Sequence, residues 1–269
     1  PLLLFTANPE DYTNRGSIVT PLKDRIGSQI LTHYPHNRQI AKEITKQEAQ
    51  AAEEQTPNIH IPELARDVLE QISFEARKSD YVDAKSGVSA RMSITAFENL
   101  LSTAERRMLI SGETKTSLRM ADFLGIISAI NGKIELVYEG EQEGAEQISY
   151  YLITQAVKTL FPSYFPEVKK LEKADEEGPY DDLLGWFFKD NELFLEDTLS
   201  DKDYKKLLDN LPGVDAVIKT HQPDCSLEDR YFLIEFLLWG LEAHKKLNKY
   251  RTLEGFQFKD TLGSYISRL

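Results

Sequence analysis

Cysteine is nearly absent from the chain, which holds a single one, Cys225, in 269 residues. One cysteine excludes an internal disulfide and fits the reducing cytosol. Since no Cys or His pattern near Cys225 would make it a metal ligand or an activated nucleophile, we treat it as inert. Long apolar runs are also missing, because none approaches the roughly eighteen residues that a membrane helix requires. We therefore expect a cytoplasmic protein with no membrane partner.

Basic residues are fewer than acidic ones: the chain has 32 Lys and Arg and 44 Asp and Glu, which gives a net charge of −12. A nucleic-acid-binding protein needs Lys and Arg on one face to neutralise phosphates, so this balance argues against one. The acidic residues concentrate between Glu167 and Asp203. This segment is either a solvated surface or a docking surface for a basic partner.

The start of the chain has the pattern of a buried parallel strand. Leu2 to Thr6 begins with four apolar residues without alternation, as in a strand covered on both faces. No basic residues precede this run and no small-residue cleavage site follows it, so it is not typical of a signal peptide. A second short strand is predicted from Ser28 to Thr32, before Pro35. Because such strands need neighbours, we expect further sequence upstream of Pro1.

From His36 onward the pattern is helical. Helices are predicted over 36–55, 62–76, 91–108, 117–130, 146–160, 199–211 and 227–247. The first has a thin apolar stripe of Ile40 and Ile44, and the last two have Ser200 and Ser226 as caps. Ile134 to Tyr138 is either a strand or an unwound linker. The expected fold is mainly α, with a short remnant of a parallel α/β core, a helical lid and a helical carboxy-terminal region.

Asn8 is the first candidate site residue, in the segment Phe5-Thr6-Ala7-Asn8-Pro9. It follows the predicted strand, and ligands of open parallel sheets lie beyond the carboxyl ends of the strands. An amide can orient an attacking water without itself titrating. The alternative is that Asn-Pro only begins a turn.

Arg25, in Leu22-Lys23-Asp24-Arg25-Ile26, is the second candidate. A guanidinium is planar and always charged, and it suits the charge that develops on a transferring phosphoryl group. The alternative is an ordinary surface arginine paired with Asp24 or another carboxylate.

Arg91, in Ser89-Ala90-Arg91-Met92, is the third candidate. It falls in the first turn of the helix predicted over 91–108, where a cation opposes the helix dipole at a cost of about a few tenths of a kcal/mol. An arginine at this position is favourable when an anion such as phosphate binds beside it. The alternative is a surface ion pair.

The order and spacing of these three segments resemble the AAA+ ATPases of the MoxR and magnesium-chelatase I-subunit group. The likeness covers residues 2–30 well and continues more weakly through Ser89-Ala90-Arg91. It implies that Asn8 is sensor 1, Arg25 is the finger presented to the ATP of a neighbouring subunit, and Arg91 is sensor 2. It also implies a core remnant over residues 1–35, a helical lid over 36–133 and a helical extension over 134–269.

One departure from the family is large. The sequence contains no Gly-x-x-x-x-Gly-Lys-Ser/Thr, and no apolar strand ends in an Asp-Glu pair that could hold magnesium. In the family both features precede the sensor-1 strand. The resemblance therefore implies an ATPase that uses ATP with Mg²⁺ only in the full-length homo-oligomeric ring, while this chain alone is inactive. The implied work is remodelling of a partner or metal insertion, with a von Willebrand A-type subunit as one such partner.

A histidine pair and an aromatic cluster are further candidate features of the sequence. His33 and His36 lack companions at metal-ligand spacing and are interpreted as structural, so no metal site is predicted. The aromatic cluster Trp186-Phe187-Phe188 is interpreted as core or as a helix-docking surface, because no basic residues surround it. The alternative function is a non-catalytic helical interaction module whose acidic segment binds a partner.

Overall fold

The computed structural model describes residues 3–6, 20–53, 55–84, 86–168 and 178–260. Within these ranges the chain is mainly α, as predicted. The helices are α1 (Thr20–Lys23), α2 (Arg38–Glu48), α3 (Glu63–Lys78), α4 (Arg91–Ile110), α5 (Ile127–Asn131), α6 (Tyr138–Glu143), α7 (Ala145–Tyr164), α8 (Asp181–Phe187), α9 (Asp201–Asp209), α10 (Val214–His221) and α11 (Leu227–Ala243), with a 3₁₀ helix over Met120–Ile126. The strands are β1 (Ile59–His60), β2 (Thr116–Ser117), β3 (Leu193–Glu196), β4 (Leu247–Arg251) and β5 (Gly255–Asp260).

The core forms around α7 and α11, and α7 packs against both α3 and α11. Helix α11 is apolar on nearly all sides and is buried from Phe232 to Leu241, as expected of a helix enclosed by others. Gly240 lets α7 and α11 approach closely, since a Cβ at this position would lie 2.0 Å from the Phe161 ring. The packing of α3 on α7 spans the predicted boundary at residue 133, and that boundary stays a prediction.

A three-stranded antiparallel sheet near the end of the chain was not predicted. Its strand order is β3-β5-β4, and the central strand β5 turns Phe256 and Phe258 into the core. The prediction of a helix as far as residue 247 was wrong. Helix α11 ends at Ala243, Lys245 adopts a positive φ of 62°, and β4 begins at Leu247.

The strands predicted near the start of the chain are not formed in the described residues. Leu3, Leu4 and Phe5 are 70%, 86% and 71% exposed and belong to no strand, and residues 28–32 are also irregular. A strand is stable only when its backbone groups are paired. Within the described part of the chain, these two segments have no such partner. The parallel pair that does form is β1 with β2, of two residues each.

Helix α2 is shorter than predicted and presents a different face to the core. Ile40 and Ile44 are each 41% exposed, whereas Ala41 and Thr45 are buried. The buried side of α2 is held by polar contacts, including an ion pair of 2.9 Å between Lys42 Nζ and an oxygen of Asp67 on α3. Periodicity therefore predicted the helix but indicated the wrong inward face.

Candidate functional site

Arg91 is the first residue of the 20-residue helix α4, and the sequence had predicted it in the first turn of this helix. The preceding residue, Ala90, gives the helix no side-chain cap, and the first turn contains no acidic residue. The Arg91 side chain is exposed, and within the described part of the chain it forms no ion pair. The first two N–H groups of α4, those of Arg91 and Met92, donate to the hydroxyl and the carbonyl of Ser89, and the amino terminus of a helix carries a partial positive charge. Arg91 adds a full positive charge to this surface.

The loop that leads into α4 is fixed by backbone contacts. Val88 forms an isolated antiparallel bridge with Ile134, and the Ser89 N–H donates to the Lys133 carbonyl at 3.0 Å. The Ser89 hydroxyl in turn accepts a hydrogen bond from the backbone N–H of Arg91 at 3.3 Å. The position of Arg91 is therefore set by the strand-like segment after α5 as well as by its own helix.

Tyr34 anchors the chain ahead of α2 to the same loop. Its hydroxyl accepts a hydrogen bond from the Val88 N–H at 3.0 Å, and its ring lies 4.2 Å from the guanidinium carbon of Arg77 on α3. Gly87 leaves room for this contact, because a Cβ there would lie 2.7 Å from the Tyr34 hydroxyl oxygen. Gly87 also adopts a positive φ of 72°. Sequence reasoning missed Tyr34, since one aromatic residue before Pro35 carries no pattern.

A buried polar cluster lies beneath the first turns of α4. Glu70 is 2% exposed and accepts a hydrogen bond of 2.5 Å from the Thr45 hydroxyl, and Ser73 and Ser93 join their hydroxyls at 2.7 Å. Burial raises the pKa of Glu70, while hydrogen bonds from Thr45 and Ser93 and the charge of Arg77 act in the opposite direction. The start of α4 therefore packs on α2 and α3 through satisfied polar groups.

The other two predicted site residues are not brought to Arg91 by any described contact. Arg25 lies in a turn directly after α1 and is exposed, with no carboxylate partner in the described residues, so pairing with Asp24 is not observed. Asn8 lies outside the described residues. The connection between this end of the chain and the start of α4 is the hydrogen bond of Tyr34 to Val88.

The carboxy-terminal end of α4 holds a second charged cluster, which is buried. The Arg107 guanidinium donates to both carboxylate oxygens of Asp122, at 3.2 and 2.9 Å, and to the Thr116 hydroxyl at 2.7 Å. Asp201 at the start of α9 lies 2.9 Å from a nitrogen of Arg119 and 3.7 Å from a nitrogen of Arg107. Both arginines are at most 5% exposed. This cluster connects α4 to the carboxy-terminal helices and has no open face for a ligand.

Three of the described acidic residues between Glu167 and Asp203 are ion-paired within the chain. Glu192 pairs with Lys259, Asp197 forms a bidentate pair with Arg251, and Asp201 pairs with Arg119. Others in the segment are exposed and form no ion pair within the described residues: Glu167, Asp182, Asp190 and Glu196.

The histidine pair and the aromatic cluster noted in the sequence lie in different surroundings. The His33 and His36 rings lie 4.3 Å apart, and the described residues contain no group of three or more His, Cys, Asp or Glu side chains arranged to hold a metal ion. Phe187 is buried and Trp186 packs against the core, whereas Phe188 is 54% exposed. None of the described helices combines the length and the apolar character needed to cross a membrane.

Comparison with known proteins gives no relative for this chain. No family model, no curated protein sequence and no solved structure matches it. The function therefore has to be argued from the residues and their geometry.

Proposed function

We propose that the chain is the carboxy-terminal part of a ring-forming AAA+ ATPase of the MoxR and magnesium-chelatase type, in which Arg91 contacts the phosphates of bound ATP. The observation that carries this proposal is the surroundings of Arg91. It is an exposed arginine without a described ion pair, at the amino terminus of a long helix whose first turn contains no acidic residue. A cation opposes the helix dipole there, unless a bound anion sits between them.

The residues around Arg91 fit a phosphate group. The guanidinium of Arg91 is a donor that suits its oxygens, and the partial positive charge of the helix amino terminus favours an anion beside it. The described residues offer no cluster that would hold Mg²⁺, so in this proposal the metal and the phosphate loop come from the rest of the protein. When bound, Mg²⁺ would neutralise charge on the transferring phosphate. Arg91 would contact the phosphates, so that the position of α4 would depend on the bound nucleotide.

Arg25 has the second role in the proposal. Its exposure, in a turn with no described carboxylate partner, leaves the guanidinium able to reach a neighbouring subunit of a homo-oligomeric ring. There it would stabilise charge that appears only in the transition state. Asn8 would orient the attacking water. The work done by hydrolysis would be remodelling of a partner or metal insertion, and by resemblance the partner is a von Willebrand A-type subunit.

The interaction-module alternative is not favoured by a specific observation. It depends on an acidic segment that binds a basic partner. Three described acids of this segment, Glu192, Asp197 and Asp201, are paired within the chain, and the exposed ones show no feature that selects a partner.

The first test uses the chain itself. Because it has no phosphate loop, isothermal titration with Mg-ATP is expected to show no site tighter than about 1 mM. Micromolar binding would contradict the proposal that the main phosphate-binding residues lie outside this chain. The reading frame upstream of Pro1 is the companion test, since the proposal requires a phosphate loop and an Asp-Glu strand there.

The second test uses the full-length protein. Arg25→Ala is expected to lower the rate of ATP hydrolysis on the order of a thousandfold while ATP binding is retained, since a finger acts on the transition state. Mixing this variant with a phosphate-loop variant is expected to restore part of the activity. In mixed rings, the intact Arg25 of the phosphate-loop variant would face the intact phosphate loop of the Arg25→Ala subunit. Mixed rings that stay inactive would show that Arg25 does not act in a neighbouring subunit.

A further inference from the structure

A cavity of about 330 Å³ lies on the side of the molecule where four elements meet. They are the start of α3, the end of α7, the connection between α10 and α11, and the first turns of α11. Its apolar lining includes Leu64, Phe232 and Leu233, which are 5%, 1% and 5% exposed. This volume is at the lower end of the range for small-ligand sites.

The permanent charges that line the cavity are all negative, and His221 is also part of the lining. Glu63, Asp224 and Asp229 contribute carboxylates, and no Lys or Arg is part of the lining. Glu63 is paired with Lys42 at 2.5 Å, and Asp229 lies 2.8 Å from a ring nitrogen of His60. Asp224 is exposed and has no hydrogen-bond or ion-pair partner among the described residues. The cavity thus combines an apolar floor with a carboxylate, that of Asp224, that has no described partner.

We propose that this cavity binds an alkylammonium or alkylguanidinium group on an aliphatic stem, with the stem against Leu64, Phe232 and Leu233 and the cation at Asp224. Long cationic side chains bury their methylene stems on apolar surface while the charged end stays partly hydrated. An anion would be repelled by the lining carboxylates, and a neutral ligand would desolvate Asp224 without compensation. The inference does not depend on the proposed ATPase function, because none of the ATPase site residues lines the cavity.

Cys225 provides a direct probe, because it is the only cysteine of the chain and lines this cavity. It is half-buried, and burial raises the pKa of its thiol. A neutral maleimide therefore reacts with it slowly enough for the rate to be followed, and a bound ligand is expected to shield the sulfur.

The experiment measures the rate of Cys225 alkylation in the 269-residue chain. Butylguanidinium at about 10 mM is expected to slow the reaction about tenfold, for a Kd of about 1 mM. Butylurea has the same shape without the charge, and guanidinium chloride has the charge without the stem. Both are expected to leave the rate unchanged. Equal protection by butylurea, or no protection by butylguanidinium, would overturn the proposal.

Asp224→Asn tests the carboxylate, and Glu141→Gln, an exposed acid on α6 outside the lining, is the matched control. Protection is expected to disappear in the first variant and to persist in the second; full protection in Asp224→Asn would overturn the role of Asp224. A capped Gly-Arg-Gly peptide and its uncharged citrulline analogue test whether the bound cation belongs to a protein side chain or to a free small molecule. Stronger protection by the arginine peptide than by butylguanidinium supports a protein side chain, and weaker protection supports a free small cation.

Discussion

The two ends of α4 hold an arginine in opposite surroundings. Arg107 is 5% exposed and bonds to Asp122 and Thr116, whereas Arg91 is exposed without a described carboxylate partner. A buried charge must have partners, so the fold depends on Arg107. An exposed cation at a helix amino terminus is slightly unfavourable. No described contact makes the fold depend on Arg91, so its side chain is available to a ligand.

The largest effect is expected at the buried end. Arg107→Ala would leave Asp122 buried without its guanidinium, and removal of one partner of a buried pair costs about 3–5 kcal/mol. Urea denaturation gives the free energy of unfolding. Arg106→Ala is the control, because Arg106 is the exposed neighbour on the same helix and is expected to change stability by less than about 0.5 kcal/mol. An equal loss of unfolding free energy in both variants would show that the buried contacts of Arg107 do not stabilise the fold.

A moderate effect is expected where the chain ahead of α2 meets the loop before α4. Tyr34→Phe removes the hydroxyl that accepts from Val88 but keeps the ring on Arg77. One hydrogen bond contributes about 0.5–1.5 kcal/mol, and the Val88 amide is expected to exchange with solvent faster. Tyr138→Phe, at an exposed tyrosine bonded only to Gln142 among the described residues, is the control. Unchanged exchange at Val88 would show that Tyr34 is no anchor.

A pH-dependent effect is expected from Glu70 under the start of α4. Burial raises its pKa above the ordinary value of 4.5 in the folded state. Its contribution to stability is therefore complete below pH 4.5 and is lost as the pH rises through the folded pKa. Glu70→Gln is expected to gain stability relative to the native chain across that interval, measured by denaturation at several pH values. The exposed Glu53→Gln is the control, and a difference that stays constant with pH would contradict the assignment.

The smallest effect is expected at Arg91 itself. Arg91→Ala removes a cation from the first turn of α4, so the free energy of unfolding is expected to hold or to rise by about 0.3–1 kcal/mol. Denaturation of the chain without nucleotide measures it. A loss as large as that of Arg107→Ala would show that the fold depends on Arg91 too, and the contrast between the two ends would disappear.

Helices were predictable where the signal was local. The caps Ser200 and Ser226 accept hydrogen bonds from the backbone N–H groups of Asp203 and Asp229 as expected, and Arg91 lies in the first turn of α4 as predicted. Such features depend on residues a few positions apart.

Tertiary partners were not predictable. The run Leu3 to Phe5 indicated a buried strand, yet burial depends on a neighbouring surface that periodicity does not specify. The burial of Arg107 was not predicted, because its partners Asp122 and Asp201 lie 15 and 94 residues further along the chain. The candidate site shows the same difference between local and tertiary features. The place of Arg91 in the first turn of α4 was predicted, and the contact of Tyr34 with the loop before α4 was not.

Thermal melting of the full-length protein with and without ATP tests the central claim most directly. If Arg91 contacts the phosphates, Arg91→Ala leaves the Tm without nucleotide unchanged or slightly higher, and the rise in Tm on adding ATP shrinks because affinity is lost. If Arg91 is an ordinary surface charge, the ATP-induced rise in Tm is the same in both proteins, and this result would contradict the account.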